Sequence, residues 1–131
     1  MKTAVKKNIY IGDLHFEHEM WNRELKFCKD ELIFLQNRLE EVTAKNTDHD
    51  FLREVEHFQN QFIVQNQNID EFLHGIKMKE HELAEFAKEH PVAVDHVHFE
   101  DHGAMRDNME GFHKVYNELK QDFRRFLAKW M

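Results

Sequence analysis

The stretch that decides the fold is residues 51–86, which read FLREVEHFQNQFIVQNQNIDEFLHGIKMKEHELAEF. Mostly apolar residues recur through it at alternating steps of three and four, at Phe51, Val55, Phe58, Phe62, Gln65, Ile69, Phe72, Ile76, Lys79, Leu83 and Phe86. A repeat of this kind is typical of helices that pack side by side. It predicts one long helix over residues 47–90, which Pro91 ends because proline pushes the preceding residue out of helical geometry.

Two further segments carry the same repeat, one on each side of this helix. They predict helices over residues 13–45 and 95–131, and residues 1–12 precede the first of them as an N-terminal tail. Both connections are short, so neighbouring helices should run antiparallel. Only one proline and four glycines occur, which leaves few turn residues for a sheet. The sequence therefore predicts an all-α fold in which residues 1–131 form a single helical domain, an elongated antiparallel three-helix bundle with heptad-like seams.

Polar residues near the predicted helix ends indicate where each helix begins and stops. Asp13 and Thr47 are expected to cap the first two helices, because a side-chain oxygen at that position accepts hydrogen bonds from backbone N–H groups of the first turn. Asn46 is expected to close the first helix in a left-handed conformation. Asp95 or Asp101 is expected to cap the third helix.

The net charge and the composition indicate which kinds of partner to expect. The net charge is −7 with histidine neutral, and an acidic chain repels a phosphate backbone, so we expect no nucleic-acid partner. No apolar run approaches the length needed to span a membrane, so we expect no membrane partner and a cytoplasmic location. Cys28 is the only cysteine, which excludes an intramolecular disulfide and predicts a small core residue.

The first helix carries a second apolar face, away from its seam. Met20, Phe27 and Phe34, which we call the outer stripe, fall seven residues apart, with Phe16 and Ile33 nearby. One interpretation is a broad core face that bends around the neighbouring helices. The other, which we favour, is a partner surface, because three helices do not easily bury two faces of one member. The predicted partner is a second copy of the chain, so that a homodimer forms a larger helical bundle.

An amide in the seam of the second helix belongs to the same prediction. Gln65 occupies a core position of the repeat, within an amide-rich stretch over residues 59–68. A buried amide can fix the register of packed helices at some cost in stability. We therefore expect Gln65 to specify register rather than to bind a ligand.

Eleven histidines make metal binding the alternative prediction, since histidine is the commonest metal ligand. When two helices run antiparallel, residues at the same height along the bundle have residue numbers that add up to a constant. From the positions of the turns, this sum is about 92 for the first and second helices and about 185 for the second and third. This rule places six candidate ligands at one height: His18, His15, Glu71, His74, Glu110 and His113. Gly75 and Gly111 fall at the same height, and each costs a helix about 1 kcal/mol, which suggests room for a bound group.

The geometry of this predicted metal site depends on the phase of the repeat. Only His18 lies in the seam, so the site requires a local helix distortion or a second subunit. The predicted cofactor is a divalent metal, namely zinc, iron or manganese. Two such metal ions in a helical bundle would extend the prediction to oxygen chemistry.

A second candidate metal cluster lies at the hairpin end of the bundle. His98 and His102 are four residues apart, and His81 falls close to their predicted height. A histidine pair at this helical spacing, with carboxylates nearby, suits zinc. The alternative, which we favour, is that these residues close the end of the bundle, because the sequence fixes no fourth ligand.

No catalytic motif is visible in the sequence, which has neither a glycine-rich phosphate loop nor a nucleophile elbow. The leading prediction is a non-enzymatic, self-associating helical-bundle protein with a protein–protein interaction or structural role. The alternative prediction is a divalent-metal-binding helical bundle that uses the histidine and glutamate cluster.

Overall fold

The computed structural model describes residues 9–89, 98–99 and 103–131 of the chain. Its elements in chain order are β1 (Ile9–Tyr10), α1 (Ile11–Thr43), α2 (His49–Glu89), β2 (His98–Phe99) and α3 (Gly103–Trp130). The three helices pack around a shared apolar core, so the predicted all-α three-helix bundle is confirmed. No helix in these three ranges combines the length and the apolar character required to cross a membrane.

Cross-helix contacts give the directions of the helices. Between α1 and α2 the residue numbers run in opposite senses, as in the side-chain contacts Lys29–Asp70 and His18–Glu80. Between α1 and α3 the numbers of paired residues rise together, in contacts described below. Neighbours along the chain are therefore antiparallel, as predicted, and the first and third helices are parallel.

The core differs in composition between its two sides. α2 and α3 meet through phenylalanine rings, and the Phe58 centroid lies 5.3 Å from that of Phe123 and 5.0 Å from that of Phe126. α1 contributes mainly smaller aliphatic side chains, such as the buried Leu25 and Leu32. α1 and α2 run closer together than either runs to α3.

The start of α2 differs from the prediction, because Asp48 and not Thr47 caps the helix. The Asp48 Oδ1 accepts hydrogen bonds from the backbone N–H groups of Asp50 at 2.9 Å and Phe51 at 3.2 Å. Asn46 is not left-handed, since no described residue other than glycine has a positive φ. Its side-chain oxygen accepts a hydrogen bond from the backbone N–H of Asp48 instead, at 2.9 Å.

Two helix starts also differ from the prediction. α1 begins at Ile11, so Asp13 lies within the first turn and the predicted N-terminal tail is two residues too long. α3 begins at Gly103 rather than at residue 95. The caps predicted for this helix, Asp95 and Asp101, lie outside the described residues.

A short antiparallel strand pair, which the sequence analysis did not predict, joins two connecting segments. Ile9 pairs with Phe99, and Tyr10 pairs with His98. Strands of two residues are too short to leave a periodic signal in the sequence. The pair holds the segment before α1 beside the segment before α3, at the end of the bundle where both helices begin.

Candidate functional site

The structure brings the predicted metal ligands to different heights. His18 of α1 contacts Glu80 of α2 rather than His74, and His113 of α3 contacts Glu24 of α1. Side chains lean toward the N-terminus of their own helix. The side chains of α1 therefore point away from the turn between α1 and α2. They contact α2 residues that lie further from this turn than the α2 residues whose backbone is at the same height.

A glutamate that the sequence analysis missed links the two histidines at the start of α1. His18 is fully buried beside Trp21, and its Nδ1 lies 2.7 Å from one carboxylate oxygen of Glu80. The Nδ1 of His15 contacts the other oxygen of the same carboxylate. The second ring nitrogen of His15 lies 3.3 Å from Glu19. One carboxylate of α2 thus bridges two imidazoles of α1.

The other predicted ligands face solvent. Glu71, His74 and Glu110 are all exposed, in agreement with the outward phase of the repeat. Within the part of the chain that the structure describes, no group of three or more histidine, cysteine, aspartate or glutamate side chains is arranged to hold a metal ion. The six predicted ligands therefore do not form a ready-made site among themselves.

The second candidate metal cluster lies largely outside the described residues. His81 is exposed on α2. His102 and the side chain of His98 are not among the described groups. The predicted zinc arrangement of these three histidines stays a prediction.

No part of the described chain approaches either of the two mid-helix glycines closely. A Cβ atom added to Gly111 would meet nothing within 4 Å. At Gly75 it would meet only the terminal carbon of Met105, at an ordinary contact distance of 3.9 Å. Neither glycine is therefore required by a close approach of another part of the chain.

A ladder of paired acidic and basic side chains joins α1 to α3. Glutamates spaced by seven residues on α1 face basic residues with the same spacing on α3, and these pairs, which we call the charge ladder, are Glu17–Arg106, Glu24–His113 and Glu31–Lys120. Arg106 donates to both carboxylate oxygens of Glu17, at 2.7 and 3.0 Å. Every pair is separated by 89 residues, so all three pairs fit one parallel register of the two helices.

The last pair of the ladder lies beside a buried tyrosine and the only cysteine. The Tyr116 hydroxyl donates a hydrogen bond to Glu31 at 2.7 Å and lies 3.3 Å from the carbonyl oxygen of Cys28. Burial raises the pKa of Tyr116, and its bond to Glu31 raises it further. Burial, followed by the charge of Glu31, also raises the pKa of the Cys28 thiol. A buried thiol that stays protonated is a poor nucleophile, so Cys28 is a core residue, as predicted.

The outer stripe faces solvent along the length of α1. Phe27 exposes 65% and Phe34 70% of their surface, and Met20 exposes 44%. The neighbouring Phe16 and Ile33 are also mostly exposed. The outer stripe therefore does not belong to a broad core face of the monomer. Large apolar side chains aligned on one exposed helix face are typical of a partner surface.

Charged residues of opposite sign alternate with the outer stripe. Arg23 lies between Met20 and Phe27 on this face, and Asp30 lies between Phe27 and Phe34. Both charged residues are exposed, and neither forms an ion pair with another residue in the described part of the chain. The face thus presents both signs of charge within an apolar surface.

Two shallow grooves follow the boundary between the outer stripe and the charge ladder. One groove is lined by Phe16, Met20 and Trp21, beside the first pair of the ladder. The other is lined by Phe27 and Tyr116, beside the second and third pairs. Grooves next to an apolar stripe can receive the side chains of a partner helix.

No family model, curated protein or solved structure matches this chain. Its function therefore has to be inferred from its residues and their geometry. The outer face of α1, with its exposed aromatic rings, its charges of both signs and its flanking grooves, is the candidate functional site.

Proposed function

We propose that this protein is a non-enzymatic helical module that associates with a second copy of itself through the outer stripe of α1. The exposure of Phe27 and Phe34 carries the proposal, because both rings project from a helix whose opposite face is buried. Covering one such side chain contributes about 1.5–3 kcal/mol relative to leaving it in water. A partner that covers the stripe would therefore gain a substantial free energy of association.

A second copy of the chain suits the charges of this face. Arg23 and Asp30 lie on the same surface, so the surface supplies both members of an ion pair. A uniformly acidic or basic partner would set one of these residues against a like charge, which is unfavourable. An interface formed by the same patch on two copies requires this kind of self-complementarity.

The proposal is tested by replacing one aromatic residue of the outer stripe with a charged one and measuring the mass of the protein in solution. We expect the native chain to have twice its monomer mass of 16.0 kDa by light scattering after gel filtration. Phe27→Glu should reduce the mass to that of the monomer, because a carboxylate without a partner is costly in an apolar contact. Ile63→Glu is the matched control, since Ile63 is an exposed apolar residue of α2. It should leave the dimer intact.

Two results would contradict the proposal. The first is a native chain that stays monomeric as its concentration is raised. The second is a Phe27→Glu variant that remains a dimer while circular dichroism shows an unchanged helix content. If both glutamate variants dissociate the dimer equally, the interface does not lie on the outer stripe.

A second candidate function is divalent-metal binding, which the convergence of His15 and His18 on Glu80 favours. Two imidazoles and one carboxylate are a ligand set that zinc accepts. Both imidazoles contact the Glu80 carboxylate in the structure, so a metal ion would have to replace these two hydrogen bonds. This candidate is weaker than self-association because it requires that rearrangement.

Elemental analysis after exposure to zinc, iron or manganese tests the second candidate. Near-stoichiometric metal that is lost in His15→Ala would support it. His57→Ala is the control, since His57 is an exposed histidine of α2 outside the cluster. A native chain that retains none of the three metals would exclude this candidate, as would equal metal content in the two variants.

A further inference from the structure

The charges and rings of the outer face also specify how the second copy is oriented, in an inference that rests on the proposed self-association. We infer that the two α1 helices pack antiparallel about a twofold axis that passes between them at the level of Lys26. Each copy then contacts the same face of α1 on the other copy, with the two helices running in opposite directions.

The charged residues of the face are placed symmetrically about this axis. Arg23 lies three residues before Lys26, and Asp30 lies four residues after it. The twofold axis brings Arg23 of each copy level with Asp30 of the other, to within roughly 1.5 Å along the helix. Neither residue has an ion-pair partner within the described part of its own chain, so both are available to form two equivalent pairs across the axis.

The apolar residues of the face match in the same arrangement. Phe16 lies ten residues before Lys26 and Phe34 eight residues after it, so the two rings meet within roughly 3 Å along the helix. Phe34 of one copy then reaches the groove lined by Phe16 and Met20 on the other. Phe27, one residue from the axis, meets the Phe27 ring of the partner copy.

A parallel arrangement would bury the same rings but oppose the charges. It would set Arg23 against Arg23 and Asp30 against Asp30 at the same level of the two helices. Like charges held opposite each other are unfavourable, and this repulsion selects against the wrong orientation. The antiparallel arrangement is the one in which the rings and the charges are both satisfied.

Reversal of these charges tests the inference. Arg23→Glu and Asp30→Arg should each raise the dissociation constant of the dimer by roughly tenfold, because each change turns two attractive pairs into two repulsive ones. The double variant should return it to within about threefold of the native value, since its pairs are attractive again. Sedimentation velocity over a range of concentrations measures all three dissociation constants.

Charge reversals on α3 provide the control. Asp122 and Arg125 form an exposed ion pair at 2.8 Å, away from α1. Asp122→Arg, Arg125→Glu and their double variant should each leave the dissociation constant within about twofold of the native value.

The outcomes separate this inference from the proposed function. If the single α1 variants leave the dissociation constant unchanged while Phe27→Glu splits the dimer, the antiparallel pairing is wrong and self-association stands. The pairing is also wrong if the double variant is as weak as the single variants. If Phe27→Glu leaves the dimer intact, the proposed function and this inference fail together.

Discussion

The inner and outer faces of α1 carry large apolar residues at the same seven-residue spacing, but they differ in burial. On the inner face, Leu25 and Leu32 are almost fully buried against α2 and α3. On the outer face, Phe27 and Phe34 lie mostly in water. The difference arises because both of the other helices that the structure describes, α2 and α3, pack on the inner face.

The comparison shows what an apolar repeat predicts and what it leaves open. A repeat indicates that a helix face is to be covered, but it does not indicate which chain covers it. The inner face is covered within the monomer. The outer face has the residues of a second seam, and none of the described helices packs against it, which is the basis of the proposed self-association.

Truncating one side chain on each face of α1 to alanine should give the largest difference in the free energy of unfolding. Leu25→Ala should lower the free energy of unfolding by about 2–5 kcal/mol, because it opens a cavity in a fully buried seam. Phe27→Ala should lower that of the monomer by less than about 1 kcal/mol, because only a third of the ring is covered. Urea denaturation of the two variants, at concentrations where the chain is monomeric, measures both values. Equal losses would contradict the assignment of the two faces.

Replacing a buried polar residue of the core with an apolar one should have the next largest effect on the free energy of unfolding. Gln65 is buried, and its side-chain oxygen accepts no hydrogen bond from the described residues. Gln65→Leu should therefore raise the free energy of unfolding by about 1–3 kcal/mol, since it removes an unsatisfied acceptor. If Gln65 also specifies register, as predicted, the more stable variant should show broader or doubled amide signals by nuclear magnetic resonance. A less stable variant would show that the amide has a stabilising partner.

A substitution on the outer surface of α3 should have a smaller effect. Gly111→Ala should raise the free energy of unfolding by up to about 1 kcal/mol, because alanine favours a helix and its Cβ meets no atom within 4 Å. Thermal denaturation followed by circular dichroism checks this value. A loss of stability would indicate that the glycine receives a neighbouring group after all.

The smallest expected effect is a loss of stability in alkaline solution. Burial raises the pKa of Cys28 above its ordinary value of 9.0 and that of Tyr116 above 10.0. The unfolded chain therefore releases these protons more easily, so their contribution to stability is complete below about pH 9 and is lost as the pH rises above it. The thermal midpoint should fall above about pH 9, and it should fall less in Tyr116→Phe. An equal fall in both proteins would assign the effect to other groups.

The sequence alone predicted the three helices, because each repeat extends over many turns and one residue of error hardly disturbs it. It predicted less accurately which residues of neighbouring helices contact each other. The expected neighbour of His18 was His74, whereas the structure places Glu80 there. The rule counted backbone levels and omitted the lean of side chains toward each helix N-terminus.

The charge ladder shows what the sequence analysis could have found. Its signal is the seven-residue spacing of Glu17, Glu24 and Glu31, matched by the same spacing of basic residues on the third helix. The spacing was overlooked because α1 and α3 are not neighbours along the chain, and His113 was considered only as a metal ligand. The outer stripe was visible in the sequence, since its spacing is local to one helix.

Sedimentation equilibrium of the native chain tests the central claim most directly, because it measures mass without any substitution. The account predicts a reversible change from 16.0 kDa to twice that mass as the protein concentration rises. A single species of 16.0 kDa at every concentration would contradict it, and it would mean that the aromatic outer face of α1 stays in water or meets a different partner.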